Sequence, residues 1–262
     1  MDDLKGKVAI VTGSSSGVGA ATAIKLAELG CNVVINYTKS EKEAKEVLAS
    51  CEGLGVESIL CRADVSQDED CRRMVAATID KWGRVDALVN NAGTTKFCAH
   101  YKLEGLDKED FQHIYGVNVI GPFQMTRAVA PHMKKTERGS IVNIASVAGI
   151  TGVGSSIAYA ASKGALVTMT LSLARVLGPE IRVNTICPGF IQGRWLREGM
   201  GAERYDAAKA FLEESSPLKV TSTPVTIADG ILYFIAGAGI VTGETLILDG
   251  GSHLGQTPLM RR

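Results

Sequence analysis

Short runs of β-branched and aliphatic residues alternate with helix-length stretches along almost the whole chain, and this alternation narrows the possible folds more than any other feature. Val8-Ala9-Ile10-Val11, Asn32-Val33-Val34-Ile35, Ser58-Ile59-Leu60, Ala87-Leu88-Val89, Ser140 to Ile144 and Ile181 to Asn184 each read as a short strand. Their almost unbroken apolar character calls for burial on both faces, as in a parallel sheet covered by helices on each side. The segments between them carry helix punctuation. Ser40 with Glu43 and Ser66 with Glu69 read as capping boxes, and Gly30 and Gly83 as helix stops. Thr223-Pro224 reads as a cap followed by proline at the first helical position. The pattern predicts a doubly wound α/β fold.

No linker, low-complexity tract or internal repeat marks a boundary, so residues 1–262 read as one domain. The stretch 188–217 is the irregular part, with Gly189, Gly193, Gly199 and Gly201 spaced among Phe190, Trp195, Met200 and Phe211. It reads as a glycine-hinged substrate loop, a lid over a pocket or alternatively an oligomer contact. Charge excludes other classes: 28 basic residues balance 28 acidic ones, with no basic run, so neither nucleic acid nor a membrane surface is an expected partner. No stretch reads as a membrane span, and the acidic start Met1-Asp2-Asp3-Leu4-Lys5 is unlike a secretory signal, which favours the cytoplasm. Six cysteines without a C-x-x-C pair and four unclustered histidines point to free thiols and no metal site.

The first strand runs into Thr12-Gly13-Ser14-Ser15-Ser16-Gly17-Val18-Gly19 and then into a helical stretch. Glycines there let the backbone turn tightly, and the N–H groups at a helix start attract a pyrophosphate. In this context the loop points to a dinucleotide. An NAD site usually has a carboxylate at the end of the second strand, about 20 residues on. This chain has Asn36-Tyr37-Thr38-Lys39-Ser40 there, with no acid before Glu41. The absence of that repulsion favours NADP, with NAD also allowed, and Lys39 is the one cation nearby in sequence.

Tyr159-Ala160-Ala161-Ser162-Lys163 places a phenol and an ammonium four positions apart, on one helix face. A nearby positive charge is expected to lower the tyrosine pKa and suit it to proton transfer. Ser146 follows the strand that ends at Ile144, where open α/β sheets bind ligands, and its hydroxyl suits donation to a carbonyl oxygen or a helix cap.

Together these residues resemble the single-domain branch of the short-chain dehydrogenase/reductases. The resemblance runs from Lys5 to Gly251 through T-G-x-x-x-G-x-G at Thr12 to Gly19, Asp64-Val65, Asn90-Asn91-Ala92-Gly93, Asn118, Ser146, the Y-x-x-x-K pair, Pro188-Gly189, and Asp249-Gly250-Gly251 after a last strand. It implies a Rossmann fold with a mostly parallel seven-stranded sheet. By this likeness Gly13, Ser15, Ser16, Gly17, Val18 and Gly19 line the pyrophosphate and ribose, Asn36, Tyr37, Thr38, Lys39 and Ser40 surround the 2′-position, and Asp64 and Val65 flank the adenine. Asn90, Ala92 and Gly93 border the adenosine ribose. Tyr159 is the acid/base, Ser146 polarises the carbonyl, Lys163 binds the nicotinamide ribose, and Asn118 holds a water that relays the proton. The nicotinamide end falls to Pro188, Gly189 and Ile191.

Two positions depart from the pattern: Ser16 stands where many NADP-preferring relatives carry Arg or Lys, and Gly193 where a carboxamide-binding Thr is common. The resemblance implies an NADP(H)-dependent ketone reductase or alcohol dehydrogenase, similar to 3-oxoacyl-thioester reductases, assembled as a homo-oligomer, in this family often a tetramer. Phe97, Phe190 and Trp195 suit an uncharged or moderately apolar substrate. A nucleotide-binding sensor or scaffold with the same fold and no turnover is the alternative.

Overall fold

The computed structural model describes residues 4–136 and 138–255. The first three residues of the acidic start lie outside the described residues.

The chain alternates strand and helix: β1 (Val8–Val11), α1 (Gly17–Glu28), β2 (Asn32–Tyr37), α2 (Glu41–Glu52), β3 (Ser58–Arg62), α3 (Asp68–Trp82) and β4 (Ala87–Asn90). After β4 come α4 (Lys108–Tyr115), α5 (Gly121–Met133), β5 (Gly139–Ile144), α6 (Ala148–Thr151), α7 (Ile157–Leu177) and β6 (Ile181–Pro188). The last elements are α8 (Arg194–Met200), α9 (Ala202–Ser215), α10 (Pro224–Leu232) and β7 (Thr245–Leu248). The seven strands form one sheet in the order β3-β2-β1-β4-β5-β6-β7, and every neighbouring pair is parallel. Strand order reverses between β1 and β4, so the loops leaving these two strands part to opposite sides and open a crevice at their carboxyl ends.

Both faces of the sheet are covered, as the apolar strands demanded, and successive residues of each strand point to opposite faces. On one side Val11, Val33 and Ile35 pack under Leu26 of α1, Val47 of α2 and Ile227 and Ile231 of α10. On the other, Ile10, Val34, Leu88 and Ile141 pack under Met74 of α3, Met125 and Val129 of α5 and Leu173 of α7. All six cysteines are free, and four are buried.

Several local expectations needed correction. Ser40 does stand before α2, but its side chain makes no capping bond, and α3 begins after Gln67 while Ser66 bonds to Asp64 instead. Both segments begin helices without the capping boxes because acidic residues in the first turn already favour the positive end of the helix dipole. The caps at Thr223 and Gly83 form, the former as a box closed by Thr226 and the latter in the left-handed conformation. The stretch 188–217 is mostly helical. Its glycines bound helices rather than dissolve them: Gly193 (φ 154°) precedes α8, and Gly201 (φ 86°) separates α8 from α9. Helix α7 also corrects the sequence reading, because by length and hydropathy it meets the criterion for a bilayer span. Here it packs on α6 and β6, with Lys163 buried.

A buried polar chain fixes how α7 sits. Asn90 of β4 donates to Asn143 Oδ1 of β5 (2.8 Å), and Asn143 Nδ2 donates to Thr170 Oγ1 of α7 (2.8 Å). Thr185 of β6 donates to the same hydroxyl (2.7 Å), which in turn donates to the Leu166 carbonyl (3.0 Å). The Thr170 hydroxyl thus uses its one proton and both lone pairs. Thr170→Val preserves shape but strips two buried donors of their acceptor. It is expected to lower unfolding free energy by about 2–5 kcal/mol, read from the urea midpoint; an unchanged midpoint would show that the chain does not hold the helix.

Candidate active site

The loop after β1 is held from two sides. Thr12 Oγ1 accepts from the peptide N–H groups of Asn91 and Ala92 (both 3.0 Å), and Asn91 Nδ2 donates to the carbonyls of Thr12 (2.9 Å) and Gly13 (3.0 Å). On the β2 side, Asn36 Oδ1 accepts from the Gly13 N–H (2.9 Å), and Ser14 Oγ accepts from the Asn36 N–H (2.9 Å). Gly17 has φ 57°, a conformation that favours glycine. Gly19 leaves no room for a side chain, since a Cβ would fall 2.6 Å from Asn91 Nδ2 and 2.8 Å from Ser14 Cα. Ser16, extended at φ −159°, makes no capping bond to the helix it precedes. The first N–H groups of α1 have no intrahelical partner and form an anion-binding end. Ser15, Ser16, Gly17 and Val18 are all at least partly exposed there.

Some expected coenzyme contacts belong instead to the scaffold. The Asn36 side chain is buried, with Oδ1 on Gly13 and Nδ2 donating to the carbonyls of Cys61 (3.2 Å) and Ala63 (3.0 Å), so it shapes the glycine loop rather than meeting a ligand. Asn90 is likewise buried against Asn143. Asp64 is exposed beyond β3, with Oδ1 taking bonds from Ser66, while Val65 is buried under Gly121. Tyr37, Thr38, Lys39 and Ser40 form a partly exposed rim after β2. Lys39 is not the only cation there: the register pairs Tyr37 with exposed Arg62, close enough for its charge to act on Glu41.

The side chains expected to react gather beside β5. Ser146 stands near enough to Tyr159 for its hydroxyl to act on the phenol, and its Oγ accepts from the Ala148 N–H (3.1 Å). Lys163, one turn after Tyr159, is only 4% exposed; its Nζ donates to the Ile144 carbonyl (2.7 Å) and lies 5.6 Å from the Tyr159 ring centroid. A Cβ at Gly93 would lie 3.5 Å from Asn118 Oδ1 and 3.6 Å from Lys163 Nζ, so β4's exit reaches the same place. Asn118 sits in a π-helical turn between α4 and α5. Its amide hydrogens go to the Thr94 carbonyl (2.9 Å) and Ser162 Oγ (3.0 Å), and its Oδ1 accepts from the Thr94 N–H (2.8 Å). That side chain therefore locks β4's exit to α7, leaving one Oδ1 lone pair or its peptide carbonyl to receive a water.

The titration of Tyr159 runs opposite to the expectation. Burial pushes the phenol up to about 12, partly offset by the nearby Ser146 hydroxyl. Burial also pulls Lys163 down to about 8. Desolvation is the largest cause of both shifts, and Lys163 spends its hydrogen bond on Ile144 rather than on the phenol. Cys187 of β6, read from the sequence only as a free thiol, lies in this region, and burial pushes it up to about 11. Asn91, embedded in the N-N-A-G run, was omitted from the expected site residues.

At the nicotinamide end, Pro188 is buried, and Gly189 lies so close to Asp249 that a Cβ would fall 2.5 Å from the Asp249 Cβ. Ile191 bridges in parallel to Ser222 through bonds made by Phe190 (3.0 Å) and Gln192 (2.8 Å). This pattern leaves the Ile191 peptide N–H and carbonyl on the other edge. Gly193, by contrast, commits its N–H to Tyr205 Oη (3.1 Å). Phe190 packs on Tyr205 (5.1 Å), whereas Trp195 stands at Tyr159 and Phe97 against Trp195.

These residues fit a dinucleotide: two glycines that a side chain would distort, a free helix end, and a proton-transfer group at one crevice. Comparison with known proteins agrees. A family model described as enoyl-(acyl carrier protein) reductase matches residues 13–253. A provisionally named ketoacyl reductase 2 of the granaticin polyketide synthase from Streptomyces violaceoruber is 38% identical over 94% of this chain and 96% of its own. A crystal structure from Burkholderia xenovorans, provisionally assigned as a short-chain dehydrogenase/reductase, is 40% identical with a TM-score of 0.88, covering 95% of this chain and 98% of that one. An NAD+-bound xylitol dehydrogenase is 29% identical, also with a TM-score of 0.88, covering 95% of this chain and all of that one. The likeness to such relatives extends over nearly the full length of each, and the chain belongs to the short-chain dehydrogenase/reductase family of oxidoreductases.

Proposed function

We propose that this protein reduces a ketone to a secondary alcohol with NADPH, Tyr159 being the proton donor. The observation that carries the reading is the placing of Lys163, one helical turn after Tyr159: it is buried against the Ile144 carbonyl at the end of β5 (2.7 Å), with its Nζ 5.6 Å from the Tyr159 ring and Ser146 alongside. Two neighbouring hydroxyls can both donate to one carbonyl oxygen placed between them. A phenol held near 12 carries its proton throughout the neutral range, the form required of a general acid in reduction. Lys163, fixed by the Ile144 carbonyl and close to Gly93, presents its remaining N–H groups to the ribose hydroxyls of the coenzyme. The bound nicotinamide supplies the hydride. The Ile191 peptide groups take its carboxamide in place of the missing threonine.

The whole chain acts as one dinucleotide-binding and catalytic unit, with residues 188–217 closing the substrate side. Similarity to the ketoacyl reductase supports 3-oxoacyl compounds within the substrate class. A scaffold without turnover is the less supported reading, because Asn118, Ser146, Tyr159 and Lys163 are all present and assembled. The absence of an acid at the end of β2 and the presence of Arg62 and Lys39 favour NADPH, although the similar xylitol dehydrogenase was solved with NAD+. The chain's balanced charge suits a small-molecule substrate in the cytoplasm, and exposed apolar residues on α5 and α7, among them Phe123, Leu171 and Val176, suit a homo-oligomer such as a tetramer.

Tyr159→Phe is expected to cut kcat for ketone reduction by about a hundredfold to ten-thousandfold while NADPH still binds, as followed by nucleotide fluorescence. Turnover at the parent rate would remove Tyr159 from the mechanism. Arg62→Gln is expected to raise KM for NADPH about tenfold with little change for NADH, since only the former carries the 2′-phosphate; equal effects on both would remove Arg62 from coenzyme selection. The pH profile follows from Lys163. Below about 8 its ammonium is intact and above it the charge is lost, so kcat/KM should fall as pH rises past 8, while Tyr159 stays protonated to about 12. A profile flat to about pH 10, two units beyond the lysine's own value, would show that the charge on Lys163 is not needed.

A further inference from the structure

The Tyr159 ring borders the Trp195 ring, which in turn meets a third aromatic ring. Trp195, in the first turn of α8, lies 6.3 Å from Tyr159 between centroids at a tilt of 46°, and Phe97 lies 5.8 Å beyond Trp195 at 56°. The two come from opposite sides of the site, Phe97 from the segment between β4 and α4 and Trp195 from the segment after β6. Gly199 seats α8 on Phe97: any Cβ there would overlap the Phe97 ring. Yet Trp195 stays 50% exposed and Phe97 36% exposed. Large apolar rings that hold this much open surface next to a reacting hydroxyl form a wall of the site rather than part of the core.

Most of the basic side chains on the segments that carry this wall are paired with carboxylates. Arg197 pairs with Asp206 (2.8 Å), Lys209 with Glu213 (2.7 Å) and Lys96 with Asp110 (2.6 Å), and Arg194 lies between Glu198 (3.8 Å) and Glu43 (3.9 Å). An anionic tail attached to the substrate finds no surplus of positive charge here, whereas an uncharged ring finds two ring faces.

We propose that Trp195 and Phe97 form a substrate subsite for an aromatic ring, so that the enzyme favours uncharged ketones bearing an aryl group close to the carbonyl. The inference rests on the ketone-reductase reading and adds the identity of the group flanking the carbonyl. With its oxygen at Ser146 and Tyr159, a ketone sets one substituent alongside Trp195, because the Trp195 and Tyr159 rings adjoin. A flat ring meets such a wall by offset or edge-to-face contact, which a puckered saturated ring of similar size makes less well.

Phenylacetone and cyclohexylacetone separate the two cases, since the methylene between ring and carbonyl keeps their intrinsic reactivities alike. With NADPH, the parent enzyme should show kcat/KM about tenfold higher for phenylacetone. Trp195→Ala should bring the ratio close to one, and Trp195→Phe should recover most of it. As a readout independent of turnover, phenylacetone should quench the fluorescence of Trp195 in a Trp82→Phe background, the chain having only two tryptophans. A parent that reduces both ketones equally, or a ratio untouched in Trp195→Ala, overturns the subsite and leaves the reductase reading standing. Quenching without reduction of any ketone in a broad panel overturns the reductase reading and keeps the subsite; neither quenching nor reduction overturns both.

Discussion

The site depends on how one helix is rotated over the sheet, and the Thr170 hydroxyl governs that rotation. It accepts from Asn143 and Thr185, each on a different strand, and donates within α7, so the helix cannot turn or slide without stranding buried donors. Tyr159, Lys163, Leu166 and Thr170 follow a spacing of four, three and four residues and therefore share a face. Fixing Thr170 over β5 and β6 consequently aims Lys163 at the Ile144 carbonyl and Tyr159 at Ser146, about three turns toward the N-terminus. Small residues beside α7 serve the same end: a Cβ at Gly149 would fall 2.5 Å from the Lys163 carbonyl carbon, so α6 lies directly against the helix at the lysine.

The polar groups divide into those that build and those that act. Asn36, Asn91 and Thr12 spend their hydrogen bonds on the backbone of the glycine loop and its neighbouring strands, and Asn90 bonds the Asn143 side chain of the next strand. Asn118 spends its amide on Thr94 and Ser162. By contrast Ser146, Tyr159 and Lys163 keep donors or acceptors directed at one another and at the crevice. This division follows from burial, because an amide enclosed in the sheet must be satisfied from within, whereas a partly exposed hydroxyl retains capacity for a ligand. Burial also sets the titration: a phenol drawn out of water holds its proton and an ammonium drawn out of water gives one up more readily.

Motif spacing and apolar periodicity carried the fold and the candidate residues that the fold brings together. Parallel burial of the strands, the glycine loop, the tyrosine–lysine pair and the serine after β5 were all legible, since each depends on local residue type and on the sheet's single rule that ligands meet strands at their carboxyl ends. The substrate segment was read less well. Its glycines looked like hinges of a loop, but Ala202–Ser215 is rich in helix formers, and glycine at a helix boundary terminates rather than unravels.

What the amino-acid order by itself determined, then, is the set of elements and the chemistry available, because periodicity and reactive residue types are properties of neighbours along the chain. Only the tertiary structure decided which groups stand together. Arg62 reaches the rim of β2 through strand register with Tyr37, Phe97 meets Trp195 across the mouth from a distant part of the chain, and burial reverses the expected shift of Tyr159. Register, long-range contact and desolvation arise from the packing of distant segments, and no local pattern of residues encodes them.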